Sequence, residues 1–137
     1  LPLALLLKQQ WEMQEMELKN QKLNDQLAII FELSPTGIIL CDLRGFITFA
    51  NRRMTEMLGH RVEELVGNDY LEFVHPDDFT SAMEKQQALM ESTLRTIDDE
   101  RRFVRKDGTS FRGHLTASHF GDETARQNGL VCLINSI

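Results

Sequence analysis

Cysteine is scarce in this chain: only Cys41 and Cys132 occur in 137 residues. Two thiols build neither a disulfide framework nor a multi-cysteine metal site, and they fit a reducing compartment. Positive charge is also short, with 15 Lys and Arg against 21 Asp and Glu and a net charge of −6. A broad basic face is therefore missing, which argues against nucleic acid as a partner, because neutralising phosphates requires clustered Lys and Arg. The longest purely apolar stretch opens the chain, Leu1-Pro-Leu-Ala-Leu-Leu-Leu7. Seven residues fall far short of the ~20 that span a bilayer. The stretch also lacks the basic flank and small-residue cleavage site of a signal peptide. A chain that begins with Leu reads as part of something longer. This run is then either the stub of a truncated membrane helix or the first turns of a soluble one, and the location expected is cytoplasmic. Catalytic signatures are lacking too: there is no Gly-x-Ser-x-Gly, no phosphate-cradling glycine loop and no His-Glu-x-x-His.

Glycine and proline are absent from Lys8 to Ile30, where Gln, Glu, Met, Leu and Lys dominate, so a helix is expected there. Its apolar residues follow a 3-4 spacing with a = Leu6, Met13, Asn20, Leu27 and d = Gln9, Met16, Leu23, Ile30. At ~1.5 Å per residue this is a rod of about 35 Å. One helix cannot bury such a seam in water, so a partner helix is implied. Asn20 at a single a position is best satisfied by its own copy, which favours a parallel, in-register homodimer. The expected dimer contacts are Met13, Met16, Asn20, Leu23, Leu27 and Ile30. Glu12 facing Glu17 of a second copy works against that pairing, and an amphipathic helix folded back on its own domain is the alternative.

Residues 31–137 read as a compact α+β domain. Ser34-Pro35 ends the helix, because proline disfavours a helical residue before it. Gly37–Cys41 and Phe46–Ala50 are β-prone runs joined by Asp42-Leu-Arg-Gly45, a hairpin signal. Asn51 suits the N-cap of a helix over Arg52–Leu58 that Gly59 closes. Glu63–Val66 is a further helical turn. Pro76-Asp77-Asp78 opens a longer helix, with carboxylates at the positive end of its dipole. Its buried side is expected at Phe79, Ala82, Met83, Gln86, Met90 and Leu94. Two strands, Arg101–Lys106 and Thr109–Phe120, flank the turn Asp107-Gly108. After a polar loop at Gly121–Gly129, Leu130–Ile134 is the last strand. The order β-β, helices, β-β-β predicts a five-stranded antiparallel sheet with helices packed on one face.

That layout resembles the PAS domain family of signal sensors. The resemblance rests on Asp42-x-x-Gly45-x-Ile47-x-x-x-Asn51, on Met57-Leu58-Gly59 followed by Glu63-Glu64-Leu65-x-Gly67, on Phe73-Val74-His75-Pro76-Asp77-Asp78, and on Arg101–Gly108. It covers residues 31–137 nearly end to end. Elementary physics also explains these positions: Asn51 caps, Asp77 and Asp78 complete a helix start, and His75 fixes the turn before it. Ser136-Ile137 falls where the family carries the first two residues of an Asp-Ile-Thr signature, with Ser in place of Asp.

The resemblance implies a cavity between sheet and helices. The expected lining is Leu40, Phe49, Met57, Tyr70, Phe73, Met83, Phe103, Leu115 and Cys132, with Ile38, Leu65, Phe111 and Ala117 beside them. Most of these are simply core, and Tyr70 is the inward polar group whose phenol needs a partner. No cofactor is evident. Flavin-binding relatives carry a photoactive cysteine where this chain has Gly67-Asn-Asp-Tyr-Leu-Glu-Phe73. They also place amides on the inner strand faces where Phe103 and Gly113 stand here, residues without a side-chain hydrogen bond to offer. Haem relatives commonly ligate iron from the long helix, which here has no histidine. A metal pair His114/His119 fails on strand parity, His60 lies in a turn, and no metal site is expected. Asp77, Asp78 and His75 are the best acid–base set, but a capped helix start accounts for all three. The expectation is a sensory module without enzymatic activity. It relays a small-molecule or conformational signal through a dimeric helix to an effector domain C-terminal to Ile137, of the histidine kinase or cyclic-dinucleotide type. The alternative is a ligand-free scaffold that dimerises and transmits.

Overall fold

Ser34 and Pro35 break the chain into two compact units, Leu1–Leu33 and Ser34–Ile137. The computed structural model describes residues 2–91, 93–121 and 128–137. The first unit is helix α1, Leu3–Leu33, which takes in all but the start of the apolar opening run. It runs past the expected end at Ile30 to Leu33, and none of its described residues is buried. No helix among the described residues is long and apolar enough to cross a membrane.

The second unit runs β1 (Gly37–Asp42), β2 (Ile47–Ala50), α2 (Arg52–Leu58), α3 (Val62–Leu65), two 3-10 turns (Tyr70–Phe73 and Pro76–Asp78), α4 (Phe79–Met90), β3 (Thr96–Val104), β4 (Ser110–Phe120) and β5 (Gly129–Ser136). The strands form one sheet in the order β2-β1-β5-β4-β3, antiparallel throughout. The first and last strands are thus neighbours, and the helical segment bridges the two halves of the sheet. Most of the expected polar loop, residues 122–127, lies outside the described residues.

Local chemistry accounts for the boundaries. Asn51 is an extended N-cap whose side chain accepts from the Met54 N–H, and Gly59 closes α2 in the left-handed region at φ 71°, where a Cβ would be strained. Asp69 caps the first 3-10 turn through the Leu71 N–H, and His75 caps the second by accepting from the Asp77 N–H at 3.1 Å. The expected long helix begins as this 3-10 turn and becomes α-helical only at Phe79.

Alternate residues of the sheet build the core. Ile39, Cys132 and Ala117 are cross-strand neighbours, as are Leu115 and Ile134, and all five are buried in one cluster with Met54, Leu58, Leu65, Leu71 and Leu89. Phe103 stacks on Phe111 at 5.4 Å and meets Tyr70 edge-on at 6.2 Å.

Two expectations of register are corrected. In β1 the core positions are Ile39 and Cys41. Leu40 is only half-buried and pairs with Phe49 and Val131, so Leu40 and Phe49 lie on the sheet face opposite the core cluster. Four consecutive apolar residues carry no alternation from which to read the phase. Strand β3 begins at Thr96, five residues before the expected Arg101. Its acidic stretch Asp98-Asp99-Glu100 pairs in register with Thr116, Leu115 and His114, which an edge strand tolerates because one rim meets water.

Candidate functional site

Beneath α4 the sheet and the first 3-10 turn enclose a cavity with about 20 Å3 of free space, room for about one water. Its apolar walls are Leu89, Ile97, Leu115, Ala117 and Leu130, and its polar lining is Cys41, Tyr70, Gln86, Arg101 and Cys132. The strand period places Arg101 here: Ile97, Arg101 and Phe103 share one parity of β3, so the guanidinium goes inward with its neighbours.

Arg101 is the unusual element, with a side chain only 4% exposed. Its Nη1 donates to the Tyr70 hydroxyl at 3.3 Å. Its Nη2 is buried without a hydrogen-bond partner, and the nearest carboxylate oxygen, Asp99 Oδ2, is 3.9 Å away, beyond a hydrogen bond. Asp99 is bound instead by Lys85 Nζ, which holds its carboxyl below the usual carboxylate range. Gln86 adds a second orphan, a buried Oε1 with no partner. Burial pushes the Tyr70 phenol up, so it stays protonated and can donate as well as accept. Cys41 and Cys132 are free thiols. They sit diagonally on the inner face, since Cys41 pairs with Leu130 and Ile39 with Cys132. The Cys132 thiol and burial together push the Cys41 thiol up, making it a weak polar wall, not a nucleophile.

Of the lining residues expected from sequence, Tyr70, Leu115, Ala117 and Cys132 reach the cavity. Met57, Phe73 and Phe103 are buried in the core cluster around it without lining it. Leu40 and Phe49 are on the other sheet face, as described. Met83 is 44% exposed. The inner face of α4 is Ala82, Gln86 and Leu89 with Met90 packed against the core, whereas Phe79, Met83 and, beyond the helix, Leu94 of the expected stripe are exposed. Sequence reasoning passed over Arg101, Leu89 and Cys41. Arg101 was legible from its parity with Ile97 and Phe103. Across β3 and β4, Gly113 pairs with Arg101 and Phe103 with Phe111, so Phe103 lies diagonal to Gly113. A Cβ at Gly113 would lie 3.0 Å from Ile134 Cγ2 and 3.3 Å from Phe103 Cε2, so the space that an amide would need is filled.

The remaining candidate groups are structural. Asp78 accepts from the Arg102 backbone N–H at 2.8 Å, and its bond to the Arg102 guanidinium holds its carboxyl below the usual range. His114 pairs with Asp98 across β3 and β4. Among the described residues no group of His, Cys, Asp and Glu is placed to hold a metal ion. On α1, Met13, Met16, Asn20, Leu23, Leu27 and Ile30 are all exposed, as are Trp11 and Leu18.

Comparison with known proteins agrees with this architecture. The profile of the PAS fold matches residues 25–137. Basic helix-loop-helix ARNT-like protein 2 is 32% identical over 66 residues in mouse and 30% identical over 67 in human. These segments are 48% and 49% of this chain but only 11% and 10% of those proteins. The chain thus spans about a tenth of the length of the curated relatives it matches. A PAS domain from Colwellia psychrerythraea superposes with TM-score 0.75 at 21% identity, covering 84% of this chain and 97% of that one. The PAS domain of an HTR-like protein from Haloarcula marismortui gives 0.74 at 22% identity, covering 90% and 99%. A PAS domain in complex with ethanol, from a LuxR-family transcriptional regulator of Burkholderia thailandensis, gives 0.65 at 19% identity, covering 80% and 95%. With its sheet order, capped helices and cavity in place, the chain belongs to the PAS fold family of sensory signal-transduction modules.

Proposed function

We propose that this module senses a small molecule in the cavity beneath α4. We further propose that it transmits occupancy through a homodimeric α1 to an effector domain in a larger, cytoplasmic regulatory protein. Within that reading the module itself makes and breaks no bonds. The observation that carries it is that two residues lining the cavity, Arg101 and Gln86, each hold a buried polar atom without a hydrogen-bond partner, Nη2 and Oε1. Buried polar groups without partners are destabilising unless something completes them. The exposed apolar residues of α1 support the dimer, because a helix with no buried residue leaves its seam to be covered by a second helix. The effector is taken to be of the histidine kinase or cyclic-dinucleotide type. Flavin and haem have no part in this reading: Phe103 and Gly113 offer a flavin edge no side-chain bond, and α4 contains no histidine.

A second reading, a ligand-free scaffold that dimerises and transmits, is favoured by the small free space of about 20 Å3. Native mass spectrometry of freshly purified protein separates the two. A dimer carrying an added mass that is lost on denaturation is expected. A dimer without added mass selects the scaffold, and a bare monomer overturns both.

A further inference from the structure

The charges around the cavity do not cancel. Lys85 binds Asp99 directly, and Arg101, with a side chain 4% exposed, meets the same carboxylate only at 3.9 Å, so two cations share one anion and one positive charge is left over. A buried cation without a hydrogen-bonded counterion is strongly unfavourable, and an anion beside it recovers much of that penalty. Three bonding positions lie within the one cavity lining. Arg101 Nη2 has no acceptor. The Tyr70 hydroxyl accepts from Arg101 Nη1, which leaves its proton for another acceptor. Gln86 Oε1 has no donor. Two donors suit a carboxylate, and the amide oxygen suits a hydroxyl next to it. Cys41, Leu115 and Leu89 leave the rest of the surface apolar or weakly polar and admit only a short carbon chain.

Resting on the sensor reading, we propose that the cavity takes a short 2-hydroxycarboxylate, its carboxylate held by Arg101 and Tyr70 and its hydroxyl donating to Gln86. The free space of about 20 Å3 is smaller than such a ligand. Filling it therefore displaces a wall, since packed interiors do not yield continuously. The wall is α4, which supplies Gln86 and Leu89 and is tied to the sheet by the Lys85–Asp99 pair. Ligand entry thus acts directly on the element that must move for a signal to leave the pocket.

Calorimetric titration of the full chain tests this, with glycolate as the probe against acetate and the neutral glycolamide. Saturable glycolate binding is expected, with acetate weaker by about fivefold and glycolamide by at least about thirtyfold, as loss of one neutral and one charge-assisted bond predicts. Tyr70→Phe weakens glycolate by about fivefold, and Arg101→Gln abolishes binding. Should Arg101→Gln fail to fold, the Tyr70→Phe variant and the acid–amide comparison still decide. Equal binding of glycolate and glycolamide, indifference to Tyr70→Phe, or no saturation by about 10 mM each overturns the proposal. A neutral adduct in the native mass spectrum beside a silent glycolate titration overturns the carboxylate while the sensor reading stands.

Discussion

Asp78 holds Arg102 at three points: its carboxylate accepts from the Arg102 backbone N–H at 2.8 Å, from Nε at 3.3 Å and from Nη2 at 2.9 Å. The start of α4 is thereby pinned to the edge strand β3, next to the bridge between Val74 and Phe103. Asp78→Ala should lower stability by about 1 kcal/mol, nearly all from the backbone bond, since the half-exposed guanidinium adds little in water. Urea unfolding with an unchanged slope would confirm it. A loss above about 3 kcal/mol would mean that the guanidinium contacts matter far more than their exposure suggests.

Asn51 is fully buried and ties three segments together. Its Oδ1 accepts from the N–H groups of Ile38 and Met54 at 2.9 and 3.0 Å, and its Nδ2 donates to the Thr36 carbonyl at 2.9 Å. Asn51→Ala removes a helix cap and leaves strand groups unsatisfied. A loss of about 2–4 kcal/mol is expected. An effect below about 1 kcal/mol in denaturant melts would show that water replaces the side chain.

Acid should weaken the domain through Glu64. Lys106 Nζ, the Arg61 N–H and His60 surround its carboxylate and pull its pKa from 4.5 to about 2. A depressed folded-state pKa means a contribution present above pH 4.5 that is lost as pH falls towards about 2. The thermal midpoint of the wild type should therefore drop across that interval, and Glu64→Gln should drop less. Parallel curves for the two proteins would show that Lys106 does not hold Glu64 in solution.

Gly113 is a packing requirement of the sheet. With Ile134 Cγ2 at 3.0 Å from a built Cβ, Gly113→Ala should destabilise by about 1–3 kcal/mol. Ile134→Leu, which lacks that branch methyl, should recover part of the loss in a double-mutant cycle. Strict additivity of the two substitutions would place the strain elsewhere.

Legibility followed the kind of signal each residue carries. Asn51, Gly59 and Asp107-Gly108 mark turns and caps through their own backbone chemistry, and each performs its expected role. The sequence does not show the phase of β1, because Ile38, Ile39, Leu40 and Cys41 are apolar on both parities, and the face of Leu40 and its partner Phe49 is set only by the packed sheet. The roll of α4 was hidden for a related reason. Met83 and Phe79 are as apolar as Leu89, and only the packed sheet decides which stripe is covered. Arg101 shares the parity of Phe103 and Ile97, a legible signal that competes with the ordinary tendency of a charged residue in an edge strand to face water.

The two outer strands explain how the sheet avoids recruiting further copies. Strand β2 is four residues long, and its free rim is occupied at Ile47, which bonds to Asn68 and Gly67. Strand β3 is longer, yet His75 donates to the Arg102 carbonyl on its open side, and Asp98 and Glu100 bring negative charge to the same strand. Neither rim offers a long neutral template for fibrillar growth. A concentrated stock should accordingly stay free of thioflavin-positive aggregates while the domain remains folded.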